Sequence, residues 1–495
     1  MNGWMPTLPA LPRGEPKYRA IAYAYAQAIN GGQMLPGEKL PAHRLLAKKL
    51  TVTTGTVSRA YTELERCGMV VARVGDGTYV AEPDADGARL PARTRQAPEP
   101  GVGGNPAHPA RSSSMGNTAA PPAPGRPVDL GQNVPMPTDE ALLLTQTLRE
   151  LAADERLAGE LLLYQPEGGR RSHREAGARW LARMGCTAAA ERVLVTQGAQ
   201  HGLACVLRAV LRPGDTIFAE ALSYPGIVAL ARQLRLNLVG IEIDEEGIVP
   251  AALERACALL APRALFCVPT LHNPTTATLS EARRAAIAEI AVRHNLVVIE
   301  DLVPAALLAA GSTPPPTPLT ARLPEHGIVI SSLSKALAPG LRVGYVQAPQ
   351  DWVGKILAVI RSDCWMTSPL SAEIAARWIV GGEIDRLVAQ QRACVDVRQA
   401  IAADVLSGWT YRTDPASPHL WLPLAEPWRA AEFAAALRQA GVLAKTADSF
   451  VIGRGSAPHA VRLSLGGARS HEALREALEV LARTLRNGPE GLYSA

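Results

Sequence analysis

The stretch SSLSKALAPGLR, residues 331–342, sets Lys335 just past an apolar run, with Ser332 and Ser334 three and one residues before it and Arg342 seven after. The run itself, IVISSLS at 328–334, is short and apolar, which reads as a strand buried on both faces with Lys335 at its carboxyl end. An amine placed there, among hydroxyls and with a cation to depress its pKa, is suited to forming a Schiff base. Taken singly, a surface lysine that snorkels would show the same pattern.

Similar runs flank it: VLVTQ (193–197), TIFAEA (216–221), ALFCVPT (264–270), LVVIED (296–301) and RVGYV (342–346), separated by helical segments. This alternation predicts an α/β body with a mainly parallel sheet and helices on both faces, and ligands in such sheets bind at the carboxyl ends of strands. Two further features fall there. Gly198-Ala199-Gln200 follows VLVTQ and opens a helix predicted over His201–Leu211, so its backbone N–H groups can hold a phosphate, although small residues start many helices. Asp301 ends LVVIED, where a carboxylate needs a partner, and a structural cap would satisfy it equally well. The order phosphate turn, acid, lysine, arginine is what pyridoxal 5'-phosphate requires: a cup for its phosphate, a partner for its pyridine nitrogen and an anchor for its aldehyde.

At 495 residues the chain is too long for one hydrophobic core. No apolar run reaches the roughly 18 residues of a membrane helix, and the N-terminus lacks the basic start and apolar block of a secretory signal. The seven cysteines form no CxxC pair, which predicts a reducing, cytoplasmic setting without disulfides. The ten histidines show no HExxH-type spacing, so no metal is expected. Residues 83–127 lose all periodicity and fill with Pro, Gly, Ala, Ser and Arg, which predicts a disordered, flexible linker between a head at 14–82 and a body at 128–495. A second proline-rich patch, STPPPTP at 312–318, reads as a surface loop.

Charge divides the same way: the net +5 is +4 over residues 1–82, +2 over 83–127 and −1 over the rest, so a polyanion would meet the head. Helical spacing from Tyr18 to Ile29, a short helix through His43–Leu50 and a third helix capped by Thr53 and stopped at Gly68 precede two strand-like runs, Met69–Ala72 and Tyr79-Val80, around a glycine turn. Three helices and a two-stranded wing make a winged helix-turn-helix.

The head, with LPGEKLPAHRLLAKKL (35–50), VTTGTVSRAYTELERCGMV (52–70) and GDGTYV (75–80), resembles the GntR family of bacterial DNA-binding domains. That resemblance implies that Arg44, Thr53, Thr54 and Thr56 face a double-stranded DNA operator, that Arg59 and Arg73 contact phosphates and that the wing passes near the DNA at Gly77. The arginine many relatives carry after the first threonine is replaced by Thr54. The body resembles fold-type I aminotransferases. By position, this implies Lys335 as the aldimine lysine and Asp301 as the pyridinium partner. Asn273 (LHNPTT) takes the place that bonds the phenolic oxygen and Tyr224 (LSYPG) that of the stacking ring. Ala199, Gln200, Ser332, Ser334 and Arg342 fall to the phosphate, and Arg462 (VRLSLGG) to a substrate or effector carboxylate. Tyr164 (YQPEGG) matches a residue reaching the other subunit's phosphate, which implies a homodimer. Pro304 stands where such enzymes commonly have a tyrosine, and it has no donor to offer. Head, linker and body in this order resemble the MocR subfamily of transcriptional regulators. The implied function is a pyridoxal-phosphate-dependent DNA-binding regulator in which an amino acid or related amine displaces Lys335 to give an external aldimine. A working aminotransferase with an accessory head is the alternative.

Overall fold

The apolar runs around Lys335 are strands in a computed structural model of the chain, which describes residues 17–30, 32–66, 69–73, 76–81, 127–310, 315–453 and 455–489. The predicted linker lies outside the described residues except for Pro127, and so do residues 312–314 of the second proline-rich patch.

In the head, α1 (Lys17–Asn30), α2 (His43–Leu50) and α3 (Thr54–Arg66) precede an antiparallel wing of β1 (Val70–Arg73) and β2 (Gly77–Val80). Ile21, Tyr25, Leu46, Val57, Ala60 and Leu64 are fully buried, at the helical spacing read from the sequence. Tyr61 packs edge-on against Tyr25 and its hydroxyl donates to the Pro41 carbonyl, tying α3 to the start of α2.

The body is built on seven strands: β3 (Val193–Thr196), β4 (Thr216–Glu220), β5 (Asn237–Ile241), β6 (Ala264–Cys267), β7 (Val297–Asp301), β8 (Gly327–Ser332) and β9 (Gly344–Gln347). Their order across the sheet is β3-β9-β8-β7-β6-β4-β5, parallel throughout except β9, which runs antiparallel to both neighbours. The sheet is sandwiched by helices, among them α4 (Ala199–Val210), α5 (Glu281–Arg293) and α6 (Gln350–Cys364). β3, β6 and β8 are buried along their whole length, which is why they read as unbroken apolar runs. β5 is absent from those expected strands because only Val239 and Ile241 of its residues are buried at the sheet edge.

A second layer follows in the chain: an antiparallel sheet in the order β10 (His419–Pro423), β12 (Ala460–Ser464), β11 (Lys445–Thr446). Residues Val128–Asp129 pair with Val442–Leu443, so the first segment after the linker is built into this C-terminal part and then runs toward Lys335. Among the described residues no helix is long and apolar enough to cross a membrane.

Candidate cofactor and effector site

Register alone gathers the strand-end residues. Asp301 pairs with Ile330, and Ser332 with Gly344, which pairs on its other side with Thr196, so Asp301, Ser332 and the turn after Thr196 share one sheet edge. The helix after that turn begins at Ala199, two residues before the predicted His201, because Gly198 takes a left-handed φ of 86° as its N-cap. The first N–H groups of a helix have no intrahelical acceptor, so Ala199 and Gln200 present theirs at this edge. Arg342 reaches the same turn, its Nη2 donating to the Gln197 carbonyl at 3.3 Å. Ser332 Oγ accepts from the Ser334 amide at 3.3 Å. The turn and β9 approach so closely that a Cβ on Gly344 would lie 2.6 Å from the Gly198 carbonyl carbon and 2.8 Å from the Ala199 nitrogen. Gly344→Ala should therefore displace this cup and weaken retention of pyridoxal phosphate at least tenfold, measured by equilibrium dialysis, while DNA binding by the head persists.

Lys335 stands three residues beyond β8, and its Nζ donates to the Asn133 carbonyl at 2.6 Å. Burial lowers its pKa to about 8, helped by Arg462, opposed by Asp301, with Arg342 the smallest contributor. The cation that depresses the amine is thus chiefly Arg462, not the Arg342 singled out from sequence spacing. Asp301 is pushed up to about 6 by burial, against the Val303 amide that donates to its Oδ1 at 2.8 Å and the charge of Lys335. Arg462, buried on β12, donates from Nη1 to Asn273 Oδ1 at 3.0 Å and from Nη2 to the Gly131 carbonyl. Its guanidinium carbon lies 5.2 Å from the centre of the Phe450 ring. Burial raises the pKa of Tyr224, and nearby Asp301 adds to it. Gln200 Nε2 donates to the Gly226 carbonyl at 3.4 Å, two residues from Tyr224.

These residues fit pyridoxal phosphate on the structure's own terms. The amine, the acid and the phosphate turn converge on one sheet edge. Gln200 Oε1, His272 Nε2, His419 Nε2 and Arg462 Nε are buried around it without a hydrogen-bond partner in the chain, as expected of polar atoms that await a ligand. His272 and His419 escaped the sequence reading. Each stands at the edge of a polar stretch, where a histidine gives no signal, and burial holds them neutral, at about 4 and about 3. The carbonyls of Gly131 and Asn133 carry no signal at all, since any residue has one. Pro304 opens a 3-10 turn, Pro304–Ala310, and brings no hydroxyl to the site.

Tyr164 is not brought to this edge within one chain: its side chain is 82% exposed and its ring lies 5.6 Å from that of Trp365. In the head, Arg44, Thr54 and Arg59 are exposed on α2 and α3. Thr53 is the cap, its Oγ1 accepting from the Thr56 amide at 3.2 Å and lying 2.9 Å from the Thr56 hydroxyl, so these two side chains are already engaged with each other. Gly77 starts β2, where a Cβ would meet Lys39 Cε at 2.8 Å, and Lys39 pairs with Asp76 at 2.8 Å. The Arg73 guanidinium sits 4.5 Å from the centre of the Tyr79 ring.

Residues 126–481 match the family model described as aminotransferase class I and II, and residues 17–80 match that of bacterial regulatory proteins of the gntR family. The HTH-type transcriptional regulator YdeF of Bacillus subtilis is 29% identical over 97% of this chain and 96% of its own length. The vitamin B6 salvage pathway transcriptional repressor PtsJ of Salmonella typhimurium is 28% identical over 90% of this chain and 93% of its own. Among solved structures, the α-aminoadipate aminotransferase LysN of Thermus thermophilus, complexed with N-(5'-phosphopyridoxyl)-L-leucine, shares the body's fold with a TM-score of 0.65, at 22% identity over 74% of this chain and 93% of that one. The aminotransferase-type body takes pyridoxal phosphate as its cofactor, and the gntR-type head binds DNA. The chain belongs to the aminotransferase class I and II family and, through its gntR-type head, to the MocR-type transcriptional regulators.

Proposed function

We propose that the body senses a carboxylate-bearing amino compound at Lys335 and Arg462 and relays its arrival to the DNA-binding head. One observation carries this reading: Lys335 holds the Asn133 carbonyl and Arg462 holds that of Gly131, so both ligand-facing residues grip the segment that leads directly into the linker and head. When bound, pyridoxal phosphate supplies an aldehyde with which the Lys335 amine, or a competing amine, can condense. A Lys335 nitrogen so engaged can no longer hold Asn133. An Arg462 guanidinium that forks onto a carboxylate gives up Gly131 or Asn273. Cofactor capture thus takes Lys335 from Asn133, an amino compound that displaces Lys335 hands it back, and a carboxylate on Arg462 changes how the guanidinium holds Gly131, so the ligand binds the two arrangements of residues 131–133 with unequal affinity, the condition for a switch.

Ala199, Gln200, Ser332, Ser334 and Arg342 are assigned to the phosphate, Asp301 to the pyridine nitrogen, Asn273 to the phenolic oxygen and Tyr224 to the ring face. A homodimer accords with the exposed apolar group Leu162, Leu163, Tyr164 and Trp365, a patch of the kind that marks an interface, with Tyr164 facing the partner's cup. On the DNA side Arg44, Thr54 and Gly77 face the operator together with Thr53 and Thr56, while Arg59 and Arg73 are the phosphate contacts.

The test is operator binding by the full-length protein with pyridoxal phosphate, followed by fluorescence anisotropy on a duplex selected from a random pool, while a panel of amino acids is titrated. An active compound should change the Kd about fivefold or more, the scale of ordinary allosteric coupling. Arg44→Ala should weaken binding roughly 5- to 150-fold, as loss of a base-contacting arginine does, and leave the cofactor spectrum unmoved. Conversion of the cofactor to its pyridoxamine form with release of keto acid, and no effect on DNA, would replace this reading with that of an aminotransferase.

A further inference from the structure

Outside the cofactor site, α4 and the end of α6 bring four metal-ligating side chains together. His201 and Cys205 are four apart on α4 and so lie on one helical face, while Asp363 and Cys364 belong to the last turn of α6. From His201 Nε2, Cys205 Sγ is 3.2 Å away, Asp363 Oδ2 3.4 Å and Cys364 Sγ 3.7 Å. The ligand atoms of His201, Cys205 and Asp363 all lie within 4.8 Å of one another. A tetrahedral zinc ion with ordinary bond lengths sets nitrogen and sulfur about 3.6 Å apart and nitrogen and oxygen about 3.4 Å apart. All three separations measured from the imidazole come within about 0.4 Å of these edges.

We propose that His201, Cys205 and Asp363 form the core of a binding site for a zinc-class divalent cation, with Cys364, 3.7 Å from the same imidazole nitrogen, completing it as the fourth ligand. Burial keeps both cysteines as thiols in this chain, so the cation binds by releasing their protons to solvent, and the resulting thiolates with an imidazole select zinc-like ions over magnesium or calcium. Arg208 Nη1 holds the other carboxylate oxygen, Asp363 Oδ1, at 2.8 Å, which orients Oδ2 toward the imidazole as outer-shell partners do in metal sites. Cys205 is fully buried whereas the Asp363 side chain is 33% exposed, so the site has a closed floor and an entry. The imidazole also connects it to the cofactor cup. The Gln197 amide donates to His201 Nδ1 at 3.0 Å, an arrangement that leaves the ring proton on Nε2. Coordination through Nε2 moves the ring proton to Nδ1 and breaks the Gln197 contact. Gln197 is the residue whose carbonyl receives Arg342 and which precedes Gly198, so the cation acts on the phosphate turn.

The test uses the full-length protein, loaded with Zn²⁺, desalted and analysed for metal, with Co²⁺ then substituted as a spectroscopic probe. One equivalent of zinc per chain should survive desalting. Co²⁺ should give the intense red-region bands of a four-coordinate site, away from cofactor absorption. Cys205→Ser should abolish both signals, and Asp363→Asn, a change at a partly exposed residue that keeps the fold, should weaken zinc retention at least tenfold. Zinc lost on desalting, or retained equally by both variants, would overturn the proposal.

Discussion

Lys335→Ala is expected to abolish covalent attachment of pyridoxal phosphate. In the parent protein, borohydride treatment followed by peptide mass spectrometry should place one phosphopyridoxyl group on the peptide containing Lys335, and in the variant on none. The effect is all-or-none because the chemistry needs a neutral amine, and burial beside Arg462 supplies one: with its pKa lowered to about 8, roughly a tenth of Lys335 is uncharged at pH 7, against about four in ten thousand for an ordinary lysine. The rate of cofactor capture should accordingly rise with pH through about 8 and level off above it. A rise that continues toward the ordinary lysine range would mean that the amine is solvated when it reacts. Transfer of the reducible label to another lysine would remove Lys335 from its assigned role.

Arg284→Leu should cost about 3–5 kcal/mol of the body's stability, the usual penalty for stranding a buried charge. Arg284 on α5 and Glu300 on β7 are both fully buried, with Nη1 and Oε1 3.6 Å apart. The guanidinium also donates to the carbonyls of Leu279 at 3.0 Å and Pro269 at 2.9 Å and to Thr270 Oγ1 at 2.7 Å. Glu300 accepts from the Leu319 and Thr320 amides and from the Thr320 hydroxyl. The pair thereby pins the loop that leads to Asn273 and the strand that ends in Asp301, so its loss should also loosen cofactor binding. Urea denaturation monitored by far-UV circular dichroism gives the stability, and Glu300→Gln in the Arg284→Leu background should recover part of it by removing the uncompensated charge. A change below about 1 kcal/mol would show that water reaches Glu300 in the variant.

Much of this protein is legible in one dimension because its strongest signals are local. A strand covered on both faces must be apolar throughout, so β3, β6, β7 and β8 announce themselves, and a polar residue at the end of such a strand has to lie at the sheet edge where ligands bind. This is the reasoning that singles out Lys335, Asp301 and the Gly198 turn, and the strand register sets Asp301 and that turn at one sheet edge. β5 escaped because only Val239 and Ile241 of its five residues are buried at the sheet edge, and β10, β11 and β12 because none of them is a long unbroken apolar run.

From the sequence alone come the winged head, the proline-rich interruption, the α/β body and the order of cup, acid and lysine, since each rests on periodicity, composition or the chemistry of neighbouring residues. Only the tertiary structure decided what those residues touch. It made Arg462, 127 positions from Lys335, the main cation acting on that amine, and it set the carbonyls of Gly131 and Asn133 against the site. It also joined His201 and Cys205 to a carboxylate and a thiol some 160 residues away, where no spacing rule could have paired them. The physical reason is the same in each case: backbone carbonyls are chemically uniform along the chain, and both electrostatic influence and ligand geometry depend on distance in space, which packing sets.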